Sequence, residues 1–295
     1  MRTAAAAGAG LALSGCAPID LLNALVPGGS YGLTTDVAYG EASRQRLDIY
    51  TPPPAEAGPA QGRRIVVVFF YGGSWQGGAR GDYRFIGEAL AGQGFVTVIP
   101  DYRLHPEVRF PEFVHDAARA IAWVRRNIAA HGGDPLRVVV MGHSAGAHIA
   151  AMVALDPAAR APAGLDADAI KGFVGLAGPY SFDPLEFRST RRVFGHLADV
   201  QAARPINFVT AAAPPMLLLH GGDDSTVGPY NSADMAAALA RAGAPHVHKV
   251  YPDMAHIGIV LGLSSPFRNA VLMADVNGFV RGLFADDAAA TVSVR

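Results

Sequence analysis

Runs of apolar residues recur along the chain and alternate with segments of helical periodicity. Residues 64–71 (Arg-Ile-Val-Val-Val-Phe-Phe-Tyr) form the clearest run. Continuous apolarity of this kind is typical of a strand that is buried on both faces of a parallel sheet. Similar runs predict further strands over residues 94–100, 136–141, 170–176, 216–220 and 246–251.

Segments of helical pattern separate these strands. Helices are predicted over residues 82–93, 111–131, 145–155, 230–242 and 265–284, and a hairpin is predicted over residues 36–51, where polar and apolar residues alternate. Such alternation of strands and helices indicates an α/β fold with a mostly parallel, doubly wound sheet flanked by helices. We expect one domain over residues 33–295, in which the irregular stretch 177–214 is a candidate small cap.

Composition narrows the classes of function. The 295-residue chain is 51% hydrophobic and 17% charged, with a formal net charge of -1, so it can bury a large core and offers no basic field for nucleic acid. A single cysteine excludes zinc clusters built from cysteines. His246 and His248 share one face of a predicted strand, but the sequence offers no third ligand for a metal. We therefore expect no metal, no cofactor and no nucleic-acid partner.

The N-terminus has the pattern of a secretory signal. One basic residue, Arg2, precedes an apolar run over residues 4–13 that is too short to span a bilayer as a helix. Residues 13–16, Leu-Ser-Gly-Cys, resemble the bacterial lipobox, in which the cysteine is lipidated. This resemblance implies a signal peptide over residues 1–15, a lipid anchor at Cys16, a tether over residues 16–32, and export to the periplasmic side of a membrane in the cell envelope. The alternative is an alanine-rich start with a chance buried cysteine.

The pentapeptide Gly142-His143-Ser144-Ala145-Gly146 lies between a predicted strand and a predicted helix. In this setting a G-x-S-x-G sequence presents a serine hydroxyl on a sharp strand-to-helix turn. Small residues on both sides let the strand and the helix approach closely, and the helix N-terminus supplies backbone N–H groups and a positive dipole end. Ser144 is therefore the candidate nucleophile.

Residues 71–75, Tyr-Gly-Gly-Ser-Trp, follow the first buried strand. Glycines at a strand end let backbone N–H groups reach a developing oxyanion, because no Cβ atom stands in the way. The candidate oxyanion donors are the backbone N–H groups of Gly72, Gly73 and Ala145, with Ser74 as a substitute for one of them. Trp75 is a candidate for the wall of a substrate pocket or for the core. His143 is a candidate for the pocket or for support of the turn.

A nucleophilic serine needs a base, and the base needs an orienting carboxylate. Where a G-x-S-x-G serine is used, the acid and then the histidine follow it along the chain. Asp223 and Asp224 directly follow the strand predicted over residues 216–220 and are both candidates for the acid. The histidines beyond them are His246, His248 and His256. His256 is the expected base, because it lies in the loop between the last strand and the last helix.

Taken together, these motifs resemble those of the hormone-sensitive-lipase-like and arylformamidase-like carboxylesterases of the α/β-hydrolase superfamily. The resemblance is densest over residues 71–157 and extends over about residues 36–284. The sequence His-Gly-Gly-Asp-Asp-Ser-Thr-Val at residues 220–227 is similar to a family motif that matches Asp224 rather than Asp223. The chain departs from the family at Tyr71, where a histidine is usual, and the tyrosine hydroxyl is the candidate support for the glycine loop.

The resemblance implies a serine carboxylesterase. Ser144 would attack an ester carbonyl, His256 would transfer the proton, and Asp224 would orient His256, so that short or medium acyl esters are hydrolysed through an acyl-enzyme. Two alternatives stay open: an amidase of the arylformamidase type acting on N-formylkynurenine, and a non-catalytic binding module on the same scaffold. The oligomeric state cannot be read from the sequence.

Overall fold

The computed structural model describes residues 23, 25–26, 29–53 and 64–285. Within these residues one eight-stranded sheet forms the centre of the molecule, with the spatial order β1-β2-β4-β3-β5-β6-β7-β8. The strands are β1 (Gly32–Ala38), β2 (Arg46–Thr51), β3 (Arg64–Phe70), β4 (Val96–Pro100), β5 (Gly133–His143), β6 (Gly172–Leu176), β7 (Met216–Gly221) and β8 (His246–Tyr251).

The sheet is mostly parallel, as predicted. Strands β3 to β8 pair in parallel, whereas β1 pairs antiparallel with β2 and β2 pairs antiparallel with β4. The predicted hairpin therefore forms one edge of the sheet, beyond β4. In the centre, Val68 of β3 lies opposite Val98 of β4 and Val140 of β5, and all three side chains are fully buried. The α/β-hydrolase fold predicted from the sequence is confirmed.

Helices cover both faces of this sheet. They are α1 (Arg84–Ala91), α2 (Glu112–Asn127), α3 (Ala145–Leu155), α4 (Pro157–Arg160), α5 (Arg188–Phe194), α6 (Tyr230–Ala242), α7 (Gly258–Leu261) and α8 (Ala270–Gly282). Helix α3 is buried along its whole length, because its many alanines and one glycine let it pack closely between α2 and the sheet. It holds its N-terminus against the carboxyl ends of the central strands.

Several predicted boundaries shift in the structure. Strand β5 continues through Gly142 and His143, so that the strand reaches the residue before Ser144. The helix predicted over residues 265–284 divides into a 3-10 turn, Ser265–Phe267, and α8. The break is explained by Asn269, whose side chain accepts from the Leu272 N–H and so starts a new helix.

The irregular stretch 177–214 contains α5 and short 3-10 turns and lies beside the carboxyl ends of the strands. Phe182 and Phe194 from this stretch pack against Trp75, with ring centroids 5.8 and 4.8 Å from the indole. Because Trp75 follows β3, this stretch closes one side of the same edge of the sheet. It therefore acts as a small cap.

Of the predicted N-terminal segments, residues 1–15 and Cys16 lie outside the described residues. Within the predicted tether, the Asn23 amide donates to the Gly81 and Asp82 carbonyls at 2.9 and 3.0 Å, and its oxygen accepts from the Phe85 N–H at 3.3 Å. These bonds attach the middle of the predicted tether to the 3-10 turn Arg80–Tyr83 and to the first turn of α1. Among the helices that the structure describes, none has the length and apolarity needed to cross a membrane.

Candidate active site

The candidate nucleophile occupies a strained turn. Ser144 separates β5 from α3 and has φ 54° and ψ -124°, a left-handed φ that is uncommon for a residue with a side chain. Its N–H donates to the Leu176 carbonyl at 2.9 Å, which ties the turn to β6. Glycine is required two residues later, because a Cβ on Gly146 would lie 2.0 Å from the Phe70 carbonyl oxygen.

The structure brings the three predicted catalytic side chains into one hydrogen-bonded chain. His256 Nε2 lies 2.9 Å from Ser144 Oγ, and His256 Nδ1 lies 2.7 Å from Asp224 Oδ2. An ionised carboxylate only accepts, so Nδ1 donates to Asp224 and Nε2 is left to accept the serine proton. This is the arrangement in which an imidazole acts as a general base toward a hydroxyl.

Burial distinguishes the two candidate acids. Asp224 is 4% exposed, and its Oδ1 accepts the N–H groups of Thr226 and Val227 at 2.9 and 2.8 Å. Burial alone would raise the pKa of Asp224, but hydrogen bonds from His220, His256 and Val227 outweigh it and hold that pKa well below its usual range. Asp223 is exposed and does not contact the base.

The other histidines near the base have structural partners. His143 Nε2 donates to the His256 carbonyl at 2.9 Å, and the two rings lie 4.8 Å apart. Burial lowers the pKa of His143 to about 3, which keeps the ring neutral. His246 Nδ1 bonds the Ala244 carbonyl, and His248 Nε2 bonds the Ser232 hydroxyl. In the described part of the chain, no group of three or more His, Cys, Asp or Glu residues could hold a metal ion.

One site expectation is corrected by this geometry. His143 does not line the substrate cavity, because it is 1% exposed and packs behind the catalytic imidazole. Its ring is directed at the backbone of His256 rather than at Ser144. The alternative role, support of the loops around the nucleophile, agrees with the observed contact.

The glycine loop after β3 lies directly against the nucleophile. A Cβ on Gly72 would lie 3.0 Å from Ser144 Cβ, and one on Gly73, which has φ 129°, would lie 2.2 Å from the Gly77 carbonyl oxygen. Burial raises the pKa of Tyr83 to about 12, and the Gly72 N–H, which approaches its hydroxyl, partly opposes that rise. Gly72 therefore faces the half-buried tyrosine.

Tyr71, which stands where the family has histidine, supports this loop through its hydroxyl. The hydroxyl donates to Asp101 Oδ1 at 2.7 Å and accepts from Arg44 Nη2 at 2.8 Å. The ring stacks on Tyr102 with centroids 4.8 Å apart, and the Tyr102 hydroxyl donates to the Tyr71 carbonyl at 2.8 Å. Arg80 pairs with the same Asp101 carboxylate. Tyr71, the first residue of the loop, is thus held through both its side chain and its backbone.

A cavity of about 510 Å³ opens beside the candidate nucleophile. Ser74 and Ala145 line it next to Ser144, and Asp224 reaches it from the other side. Its apolar walls are Trp75, Pro179, Phe182, Phe187, Val227 and Tyr230. The cap therefore supplies part of the wall, and the cavity is large enough for a small acyl or alcohol group.

Trp75 serves both of the roles that the sequence left open. It lines the cavity and is only 4% exposed. Its indole N–H donates to His148 Nδ1 at 3.2 Å, and His148 Nε2 donates to the Ala203 carbonyl at 2.8 Å. Burial lowers the pKa of His148 to about 4, so the ring stays neutral and keeps this tautomer. Sequence reasoning missed His148, which joins the glycine loop, α3 and the cap.

Known proteins share both this sequence pattern and this fold. A family model described as BD-FAE matches residues 47–181. Esterase LipQ of Mycobacterium tuberculosis is 33% identical over 266 residues, which are 84% of this chain and 62% of that protein. Isoprenylcysteine alpha-carbonyl methylesterase ICME of Arabidopsis thaliana is 31% identical over 246 residues, 76% of this chain and 56% of that protein. The chain thus spans about three fifths of the length of these curated relatives.

Among solved structures, esterase 2 of Thermogutta terrifontis phosphorylated by paraoxon superposes with a TM-score of 0.69 at 28% identity. The match covers 85% of this chain and 93% of that one. This chain has the α/β-hydrolase fold and is similar to esterases. That structure holds the Thermogutta enzyme in its form phosphorylated by paraoxon.

Proposed function

We propose that this α/β-hydrolase is a serine carboxylesterase that hydrolyses small acyl esters through an acyl-enzyme. One observation carries the proposal: Ser144, His256 and Asp224 form a continuous chain of hydrogen bonds, 2.9 and 2.7 Å long, at the wall of a 510 Å³ cavity. The esterase names of the relatives support the same class of reaction.

In the proposed reaction, Ser144 Oγ attacks the ester carbonyl carbon while His256 Nε2 takes the serine proton. The tetrahedral intermediate collapses, the carbon–oxygen bond to the alcohol breaks, and the imidazolium gives its proton to the leaving alkoxide. A water then attacks the acyl-enzyme with His256 again as the base, which releases the acid and restores the serine. Asp224 keeps His256 in the required tautomer and stabilises its positive charge.

The oxyanion donors we propose are the backbone N–H groups of Gly73, Ser74 and Ala145. Ala145 is the first residue of α3, where N–H groups have no partner within the helix. Ser74 replaces Gly72 in the set expected from the sequence, because the Gly72 N–H approaches the Tyr83 hydroxyl whereas Ser74 lines the cavity. Removing one such donor typically costs about 10²–10³ in kcat.

An active-site-directed probe tests the proposal. A fluorophosphonate is expected to label Ser144, and the enzyme is expected to hydrolyse p-nitrophenyl butyrate. Both properties should be lost in Ser144→Ala and retained in Ser43→Ala, which alters an exposed serine near β2. Labelling at another residue, or full activity in Ser144→Ala, would refute the assignment. A non-catalytic binding module would be neither labelled nor active.

We further propose that Cys16 carries a lipid anchor on the periplasmic side of a membrane, after removal of a signal peptide over residues 1–15. The lipobox-like sequence at residues 13–16 supports this proposal. Six residues lie between Cys16 and Asn23, whose side chain is bonded to Gly81 just before α1. The seven residue-to-residue steps from Cys16 to Asn23 span at most about 25 Å, so the anchor would hold the domain close to the membrane surface.

Fractionation tests the anchor. The wild-type protein is expected to sediment with membranes, because each buried methylene of an acyl chain contributes about 0.8 kcal/mol. Cys16→Ala is expected to leave the protein in the soluble fraction with its esterase activity intact. If Cys16→Ala still sediments with membranes, or if the wild type does not, the anchor is refuted without consequence for the catalytic assignment.

A further inference from the structure

The carboxylate of Asp224 receives more donors than the base and the turn require. Its Oδ1 accepts the backbone N–H groups of Thr226 and Val227, at 2.9 and 2.8 Å. Its Oδ2 accepts from His256 Nδ1 at 2.7 Å and also lies 3.3 Å from Nε2 of His220. Two imidazoles therefore share the one oxygen that orients the catalytic base.

The hydrogen bonds of His220 decide which of its nitrogens carries the proton. Its side chain is fully buried at the end of β7, and Nε2 lies 2.8 Å from the Val227 carbonyl oxygen. A carbonyl only accepts, so Nε2 carries the hydrogen, which is donated to Val227 and lies close to Asp224 Oδ2, with a nitrogen-to-oxygen distance of 3.3 Å. Nδ1 is buried and has no hydrogen-bond partner among the described residues. Within this part of the chain, the only ring hydrogen that has an acceptor is therefore the one on Nε2.

We propose that His220 is a positioning residue of the catalytic centre that acts through Asp224. It fixes Oδ2 in line with His256, and its N–H withdraws part of the carboxylate charge that would otherwise act on the base. This proposal rests on the proposed function, because it assumes that Asp224 and His256 work as a catalytic pair. Beyond that pair, the proposal assigns a second donor to Asp224, and this donor affects the pH at which His256 acts as the base.

The other titratable groups around this pair are uncharged at neutral pH. His143, at the end of β5, faces His220, His256 and Asp224, and burial lowers its pKa to about 3. His248, on β8, faces His220, and burial lowers its pKa also. Neither group changes charge near neutral pH. The fall in activity on the acidic side of the pH profile therefore reports protonation of His256 itself.

The sign of the expected effect follows from electrostatics. The negative charge on Oδ2 favours the protonated form of His256, and the His220 N–H weakens that charge. If the donor is removed, the charge on Oδ2 acts more fully on His256, which then becomes protonated at a higher pH. The acidic limb should therefore move upward, by about 0.5–1 pH unit, since a partial charge acts less strongly than a full one.

The experiment measures the rate of fluorophosphonate labelling of Ser144 in the full-length protein as a function of pH. His220→Gln keeps an amide N–H at the position of Nε2, whereas His220→Met has similar size and no donor. The wild type and His220→Gln are expected to share one midpoint, and the midpoint of His220→Met is expected to be higher. The amide of His220→Asn reaches only the position of Nδ1, so this variant also lacks a donor at the position of Nε2. Its midpoint should be raised in the same way, and it replaces His220→Met if that variant folds poorly.

Two controls give the result its meaning. Val276→Ala truncates a fully buried side chain in α8, away from the site, so it should lower the melting temperature without moving the midpoint. If His220→Met and His220→Asn react more slowly but keep the wild-type midpoint, His220 only supports packing and the proposal is overturned. If the wild type is not labelled at Ser144, the proposed function fails, and the role of His220 fails with it.

Discussion

Gly146 offers a sharp test of the close contact between the nucleophile turn and the glycine loop. In Gly146→Ala the new Cβ would lie 2.0 Å from the Phe70 carbonyl oxygen and 2.4 Å from the Tyr71 carbonyl oxygen. Both atoms belong to backbone, and the Phe70 oxygen must retreat by about 1 Å before the contact becomes tolerable. Phe70 ends β3 and Tyr71 begins the glycine loop, so this retreat displaces the proposed oxyanion donors relative to Ser144.

Two opposing contributions determine the expected change in the stability of Gly146→Ala. Alanine is favoured over glycine in a helix by about 0.5–1 kcal/mol, whereas forcing a methyl group into a packed site costs about 1–3 kcal/mol. We expect a net loss of about 1–2 kcal/mol in the free energy of unfolding. A displacement of 1 Å in the catalytic geometry is expected to lower kcat by about 10²-fold. The loss of activity should therefore exceed what the loss of stability explains.

Gly278→Ala is the matched control. Gly278 also lies within a helix, α8, but a Cβ there meets no atom within 4 Å. The same substitution should raise the melting temperature by about 2–4 °C and leave kcat unchanged. Thermal melts followed by circular dichroism, with rates on p-nitrophenyl butyrate, measure both quantities. Wild-type stability and activity in Gly146→Ala would show that the loop does not depend on this contact.

Three further results are expected. Asp224→Asn should lower kcat on p-nitrophenyl butyrate by about 10⁴-fold, whereas Asp223→Asn should match the wild type; the reverse order would reassign the acid. Trp75→Ala should enlarge the cavity, so kcat/KM measured across acyl chain lengths should shift toward longer esters; an unchanged profile would place the acyl group elsewhere. Burial opposes ionisation of Asp116, but hydrogen bonds from Arg103 outweigh burial and lower the pKa of Asp116 in the folded protein. The ionised Asp116 therefore stabilises the fold above about pH 4, and this stabilisation is lost as the pH falls through the lowered pKa of the folded state. Urea unfolding between about pH 2 and 6 should therefore depend less on pH in Asp116→Asn.

The cluster of side chains around the fully buried Asp116 also braces the active-site edge of the sheet. Asp116 accepts from the backbone and side chain of Arg103, from Arg119 and from Gln45. Gln45 precedes β2, which belongs to the antiparallel edge of the sheet. The ion pairs therefore connect α2, the loop after β4 and the hairpin. They help to hold the edge hairpin beside β4, which is the neighbour of the strand that leads into the glycine loop.

Local features of the sequence determined the elements and the nucleophile. The apolar runs marked the strands, and the small residues around Ser144 marked a tight turn, because sterics within a few residues decide both. The order of serine, acid and histidine along the chain left three histidines, and the position of His256 between the last strand and the last helix then selected it. The hairpin was also predicted, but its antiparallel place beside β4 depends on which strand edges are free, and the sequence does not contain that information.

Only the tertiary structure decided the contacts between distant residues. His256 meets Ser144 across 112 residues of sequence, and His143 bonds the His256 carbonyl across 113. Whether His143 faces the cavity or the back of the base depends on how separate loops pack at the edge of the sheet. The same holds for the second donor beside Asp224, since burial and hydrogen bonding become fixed only when β5, β7 and the loop after β8 meet.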